Sequence, residues 1–283
     1  MTTPADLDAY RGMNYEIAEA IAPTWERRRA DIEEISAPVR EWMVRELAPR
    51  DGDTLLELAA GTGDTGFEAA TAIGEGGLLL STDFSPTMLE AARRRGAELG
   101  VENVEYRVVD AEAIELDDDS VDGVLCRFGY MLMADPAAAL AETRRVLRPG
   151  GHLALAVWGP PERNPFFTAA VIAMVQAGHL EPPAPEAPGL FSLASEERTK
   201  ALLQGAGFEQ VRAEQVAVRF ENPSTDEYVA VIADTAGSIA LALRGLAETE
   251  RDAVKAQAEA TLERFAGPDG YGIPGVVLCA VAE

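Results

Sequence analysis

The sequence predicts a doubly wound α/β fold, a mostly parallel sheet flanked by helices, and three observations predict it. Short apolar runs recur at TLLEL, LLLSTD, VEYRVVD, VDGVLC and HLALAVW between Thr54 and Trp158. Stretches with helical periodicity stand between them, at Thr65–Ile73, Pro86–Leu99 and Pro136–Leu147. Strand, helix and strand in that order imply parallel pairing, because each parallel pair needs a crossover and a helix is the compact way to make one.

The end signals agree with the periodicity. Ser85-Pro86 puts a serine at an N-cap and a proline at the first helical position, and Gly100 stands where that helix stops. Met88, Leu89, Ala92 and Leu99 form its apolar stripe. RRVLRPGG closes the next helix with basic residues that complement its dipole, then turns through Pro149, Gly150 and Gly151 into a strand. On either side the pattern changes. Residues 1–48 are helical in spacing, with Ile17, Ile21, Trp25, Ile32, Ile35, Val39 and Trp42 apolar around the polar middle ERRRADIEE. A Pro-rich excursion over 160–192 encloses a short apolar helix at Thr168–Ala177. SEERTKALLQGAGF then predicts a capped helix ending at Gly205 or Gly207, VRAEQVAVRF an alternating strand, Thr225–Phe265 a helical tract, and GVVLCAVA a closing strand. The organisation expected is a helical lid over 1–48, an α/β core over 49–221 and 270–283, and a helical insertion over 222–269 covering the active site.

Composition bounds the function. The 283 residues are 47% hydrophobic, 25% charged and 6% aromatic, an ordinary globular balance. A net charge of −24, from 24 Lys and Arg against 48 Asp and Glu, disfavours nucleic acid or anionic membrane as a partner and favours small or cationic molecules. Cys126 and Cys279 each lie in an apolar run and are expected to be buried free thiols of a reducing compartment. No basic leader and no apolar stretch of about 18 residues is visible, so the cytoplasm is the expected location. Two histidines, His152 and His179, cannot build a His-rich metal site.

In an open parallel sheet the ligand lies beyond the carboxyl ends of the strands. The first strand runs into ELAAGTGDTG, whose small residues admit a ligand close to the backbone and whose following helix offers free N–H groups. Strands two and three end at Asp83 and Asp110, and the intervals of 26 and 27 residues from Glu57 to Asp83 to Asp110 are one strand-helix repeat each. An acid at the second tip can accept from both ribose hydroxyls, and one at the third from an exocyclic amine, which together describe an adenosine pocket. Gly61-x-Gly63-x-x-Gly66 also matches the dinucleotide fingerprint, with Asp83 20 residues past Gly63, so an NAD-dependent oxidoreductase is the alternative enzyme.

The whole arrangement resembles the class I S-adenosylmethionine-dependent methyltransferases, a Rossmann-like group, and especially the small-molecule subgroup that includes the ubiquinone and menaquinone methyltransferases. The resemblance is carried by LLELAAGTGDTG (55–66), STDFSPTMLEAA (81–92), VVDAEAIEL (108–116) and SVDGVLCRFGYMLMADPAAALAETRRVLRPGGHLALAVW (120–158). It implies S-adenosylmethionine as cofactor and a small, partly apolar metabolite as methyl acceptor. Glu57 and the loop from Ala59 through Gly61 to Gly63 would border the methionine part. Asp83 would hold the ribose, Phe84 and Met88 the adenine face, and Asp110 with the Ala111 N–H the adenine edge. Arg127 would lie near the methionine amino group. Ala59 departs from the group's usual glycine, and a slightly tighter loop is expected.

Other residues carry open readings. Trp25 and Arg27–Arg29 either cover the cofactor or form an apolar face with solvated arginines. His152 falls at the far end of its strand, His179 overhangs the site or lies on the surface, and Tyr271 reaches a substrate or forms a turn. No general base is identifiable. A noncatalytic cofactor-binding protein on the same fold is the third reading.

Overall fold

The computed structural model describes residues 4–182 and 187–283. The stretch 183–186, inside the Pro-rich excursion, and residues 1–3 lie outside it. Two helices come first, α1 (Pro4–Arg27) and α2 (Arg29–Leu47). An alternating series follows: β1 (Thr54–Glu57), α3 (Asp64–Ala72), β2 (Leu78–Asp83), α4 (Pro86–Leu99), β3 (Val104–Val108), β4 (Val121–Arg127), α5 (Pro136–Val146) and β5 (Leu147–Trp158). The remainder is α6 (Pro165–Gln176), α7 (Glu196–Gly205), β6 (Val211–Asn222), α8 (Thr225–Thr235), α9 (Ser238–Gly245), α10 (Glu248–Leu262), β7 (Ala266–Gly267) and β8 (Gly270–Ala282).

The strands form one sheet in the order β3-β2-β1-β4-β5-β8-β6, with β7 paired to β8. Pairing is parallel from β3 through β5, and β8 runs antiparallel to both β5 and β6. The fold is therefore the doubly wound, mostly parallel α/β class. The reversed β8 between β5 and β6 departs from the 3-2-1-4-5-6 order of the dinucleotide fold.

Local chemistry explains the element ends. The Ser85 hydroxyl accepts from the Met88 N–H at 3.1 Å, Pro86 opens α4, and Gly100 stops it at φ +69°. Asp135, Ser195 and Ser224 cap α5, α7 and α8 in the same way. In α4, Met88, Leu89 and Ala92 are buried, but Leu99 is 47% exposed at the uncovered last turn. The tract expected to be helical over 225–265 is three helices, because Gly237 at φ +57° turns α8 into α9 through 117°. Among the described residues no single helix is long and apolar enough to cross a membrane, and this bent pair buries Tyr228, Ile232, Ile239 and Leu243 inside the protein.

The two N-terminal helices play different parts. Val39, Trp42, Met43 and Leu47 put α2 into the main core under the sheet, and the Trp42 indole donates to Glu214 of β6 at 2.9 Å. Helix α1 belongs to a separate small cluster, where Ile17, Ile21 and Ala22 pack on Met88 and Ala240. It crosses the strand tips by polar contacts: Arg11 with Glu112, Asn14 with the Leu132 carbonyl at 2.7 Å, and Glu19 with Ser85 and Thr87. Cys126 and Cys279 are buried free thiols.

Candidate active site

The carboxyl ends of β1, β2 and β4 are tied together by short polar bonds. The Leu58 N–H donates to the Leu125 carbonyl at 2.8 Å and the Ala60 N–H to the Thr82 carbonyl at 2.9 Å. The Thr82 hydroxyl donates to the Glu57 carbonyl at 2.6 Å. The chain then leaves β1 through Ala59 (φ +52°), Gly61 (φ +57°) and Gly63 (φ +83°), so the loop between strand and helix is built from left-handed turns. At Gly63 a Cβ would sit 2.5 Å from the Phe67 ring, and at Gly66 it would run into the Glu57 carboxylate. At Gly61 it would meet nothing within 4 Å, so this glycine alone of the three faces open space.

Two carboxylates brace the loop. Glu57, at the end of β1, is fully buried and accepts from the Gly66 N–H at 2.7 Å and the Ser81 hydroxyl at 3.1 Å. Burial raises it to about 8, against the lowering effect of those bonds and of the Arg127 charge. Asp83, at the end of β2, accepts from the Gly61 N–H and the Ser85 N–H, each at 2.9 Å, one on each oxygen. Burial, with a smaller contribution from the Glu19 charge, raises it to about 6, opposed by backbone N–H bonds from Ser85, Gly61 and Phe84. A carboxylate offers about four lone-pair sites, so these bonds leave it capacity to accept from a hydroxyl. Glu19 itself is held low: burial works upward, and bonds from Ser85 and Thr87 outweigh it.

Phe84 is half-buried beside Tyr15 of α1, edge to face at 6.1 Å. Met88 is buried under α1. Asp110 is exposed past β3 and accepts the Glu112 N–H at 2.9 Å, which shapes the turn carrying Ala111. At the end of β4 the Arg127 guanidinium is turned onto α2, where it is bonded to Glu33 and Ser36. Glu33 also takes Arg40 at 2.7 Å, and Arg40 reaches Glu68 of α3. A second arginine pair, Arg29 and Arg95, meets Asp64 at the start of α3 at 3.3 and 3.1 Å. The structure thus gathers Glu57, Ala59, Gly61, Gly63, Asp83 and Arg127 at one end of the sheet, with Phe84, Asp110 and Ala111 at its edge.

A nucleoside sulfonium fits these groups on two observations. Gly61 leaves the loop open on one side next to Asp83, and the Thr65 hydroxyl, in the first turn of α3, is buried with no hydrogen-bond partner among the described residues.

Several residues escaped sequence reading. An aromatic cluster starts where β4 ends: Phe128, at φ +61°, stacks on Trp158 at 4.5 Å and 9°. Trp158 continues to Phe167 at 4.7 Å and Phe220 at 5.8 Å, and Phe220 stacks on Phe166 at 3.9 Å. Phe128 and Trp158 stand at the carboxyl ends of β4 and β5, the places already marked for ligands, so that rule applied to aromatics would have found them. Glu33 and Ser36 carry no comparable signal, since each meets Arg127 across a long sequence separation.

The open readings resolve as follows. Trp25 donates to the Thr235 carbonyl at 3.1 Å, fastening α1 to α8, and Arg28, between α1 and α2, bonds Asp234 at 3.0 Å and Glu227 of α8. Of the run, Arg29 alone turns toward the loop helix. His152 lies at the amino end of the sheet, 3.8 Å from the Glu283 carboxylate. His179 follows α6, half-buried, and the Tyr271 hydroxyl meets that of Thr225 at 3.2 Å.

Comparison with known proteins agrees with this fold. The model of the ubiE/COQ5 methyltransferase family matches residues 34–174. A demethylmenaquinone methyltransferase of Thermus thermophilus is 32% identical over 142 residues, half of this chain and 57% of that protein, so the chain spans little more than half the length of this relative. Two solved structures share the fold. A putative sarcosine dimethylglycine methyltransferase from Galdieria sulphuraria has TM-score 0.55 and 17% identity, covering 88% of this chain and 87% of its own. The cyclase SpnF has TM-score 0.55 and 17% identity, covering 94% and 96%.

Proposed function

We infer that this chain, a class I methyltransferase in fold and similar to the ubiE/COQ5 methyltransferase family over residues 34–174, moves a methyl group from S-adenosylmethionine to a small, partly apolar metabolite. The observation that carries the reading is Asp83 at the tip of β2, bonded to the Gly61 N–H of an open glycine loop. A dinucleotide reading of the same glycines loses ground to the reversed β8 in the sheet. The name of the Thermus relative supports an acceptor related to quinones.

Bound in this cleft, S-adenosylmethionine would supply an electrophilic methyl group that the acceptor takes by in-line displacement. The residues of the chain hold and orient. Asp83 accepts from the ribose hydroxyls, Asp110 and the Ala111 N–H meet the adenine edge, and Phe84 with Met88 borders its face. The loop from Ala59 to Gly63, braced by Glu57, lies against the methionine part, with the Arg127 backbone near its amino group. Orientation of this kind contributes about 7–11 kcal/mol to an intramolecular-like displacement, which leaves little for acid-base chemistry to add unless the acceptor arrives protonated. Helix α1 across the strand tips and α8 beside it exclude water. Two buried free thiols favour a cytoplasmic setting.

Calorimetric titration with S-adenosylhomocysteine and with NAD, followed by methyl transfer to a panel of metabolites, RNA and protein, tests the reading. Micromolar binding of the first, none of the second, and transfer to a metabolite are expected. Principal transfer to RNA or protein would overturn the acceptor class. Binding without any methyl consumption would favour a noncatalytic protein.

A further inference from the structure

Strand β3 ends the sheet on one side, and no strand among the described residues pairs with its outer edge. The Leu79 N–H donates to the Asn103 carbonyl and the Val109 N–H to the Asp83 carbonyl, so the odd-numbered residues of β3 turn their backbone groups toward β2. By alternation, Val104, Tyr106 and Val108 turn theirs outward, and among the described residues none of these groups is bonded elsewhere. Such a row of donors and acceptors is a template for another strand unless a proline, a bulge or a covering element blunts it. The β3 sequence has no proline, its register with β2 is regular, and Val108 is 60% exposed. Leu99, which ends the helix leading into β3, is exposed as well.

The side chains decide what this edge can accept. The sequence VEYRV is nearly symmetric about Tyr106, with a valine at each end and an acid and a base, Glu105 and Arg107, between. Both charges are exposed, on the face opposite Tyr106, and they pair with each other. When a second β3 is laid antiparallel with Tyr106 opposite Tyr106, Glu105 of each copy stands opposite Arg107 of the other. That position is a non-hydrogen-bonded one, where opposed side chains come closest. A slip of two residues in either direction opposes Glu105 to Glu105 or Arg107 to Arg107, so a single register satisfies the charges. Each chain carries −24, and two copies repel at a distance, so a contact between them needs a locally neutral and complementary face. Strand β3 offers one base for one acid.

We propose that the outer edge of β3 is a contact between two copies of this chain, which join antiparallel about Tyr106 into one continuous sheet across a two-fold axis. The three outward-facing residues exchange backbone hydrogen bonds with their counterparts, and Val108 lies opposite Val104 of the second copy. The inference stands independently of the methyltransferase reading. It bears on that site all the same, because Asp110 and Ala111 leave β3 just beyond Val108, and pairing on both sides steadies the strand that carries them.

The test is sedimentation equilibrium of the full chain from about 1 to 100 μM, with circular dichroism as the check on folding. The wild-type chain should sediment at twice the mass of one chain. Glu105→Arg and Arg107→Glu each oppose like charges on both sides of the axis, and each should weaken the dimer by about tenfold or more. An equimolar mixture of these two variants sets acid against base again and should regain the wild-type affinity, as should the double variant Glu105→Arg/Arg107→Glu. This rescue also shows that the single variants keep a competent edge. A wild-type chain that stays monomeric at about 100 μM, a dimer indifferent to both single variants, or a mixture of folded variants that fails to associate would each overturn the proposal.

Discussion

The half of the sheet around β1, β2 and β3 and the half around β5, β8 and β6 are built on different principles. In the first, the groups gathered at the strand tips are backbone N–H groups, the open Gly61 and two buried carboxylates, each within a few residues of a strand end. In the second, the walls are side chains from α2, α6, β6 and α8, brought together by packing between Phe166, Phe220 and Trp158. A cradle made of backbone tolerates little change in acceptor or family and still binds the same cofactor. A wall made of side chains can be re-cut by single substitutions.

The contrast is broken most directly at Asp83. Asp83→Ala removes the acceptor proposed for the ribose hydroxyls and the observed acceptor of the Gly61 and Ser85 N–H groups. Two hydrogen bonds to a charged group at about 1.5 kcal/mol each, the low end of their range, predict a roughly 10²-fold loss of S-adenosylhomocysteine affinity by calorimetry. An unchanged affinity would mean that the cradle is elsewhere. On the other side, Phe128→Gly removes the ring stacked on Trp158 and leaves a void at the head of the aromatic cluster. Relief of its positive φ offsets part of the loss, and a net destabilisation of about 2 kcal/mol in urea unfolding is expected. A neutral result there would show that the aromatic half does not depend on this stack.

The same division explains what could be read from the chain. Strand tips and caps are local: Ser85-Pro86, the glycine loop and the spacing from Glu57 to Asp83 are each visible in a short window of sequence. The parallel strands and their helices followed from periodicity alone. The aromatic side is not local. Phe166 stacks on Phe220 54 residues on, and Arg127 finds Glu33 94 residues away. No periodicity announces such pairs. Helix α2 is a further case, because the amphipathic pattern of residues 1–48 shows that a face is buried but not whether it packs on a sheet or lies over a site.

Proton linkage sharpens the comparison, because the raised carboxylates all belong to the cofactor half. Asp83 stands at about 6 and Glu57 at about 8, both above their ordinary values. Each therefore favours the folded chain when protonated. The contribution is fully present below the unfolded value near pH 4 and is lost as pH rises, for Asp83 through about 6 and for Glu57 through about 8. Without ligand, stability should fall between pH 5 and 8, and Glu57→Gln should flatten that fall, as followed by thermal melts. Ligand binding has the opposite sign. On the proposed reading the ribose hydroxyls donate to the ionised Asp83, so S-adenosylhomocysteine affinity should weaken toward tenfold per pH unit below about 6. An affinity that is flat from pH 5 to 7 would disconnect Asp83 from the sugar.

The smallest expected effect lies in the loop itself. Ala59 and Phe128 both follow a strand in left-handed backbone, at φ +52° and +61°, yet their side chains contribute differently. Phe128 has a stacked partner. Ala59 presents a methyl group that a Cβ on Gly129 would meet at 2.7 Å, so the two short residues pack edge to edge where β1 and β4 release the chain. Left-handed backbone costs an L residue about 1–2 kcal/mol, and glycine costs about 0.5–1 kcal/mol in chain entropy. Ala59→Gly should therefore raise stability by about 0.5 kcal/mol, visible as a small increase in melting temperature with S-adenosylhomocysteine affinity nearly unchanged. A drop in stability would show that the Ala59 methyl packs as productively as the Phe128 ring, and the two halves of the site would then differ less than their construction implies.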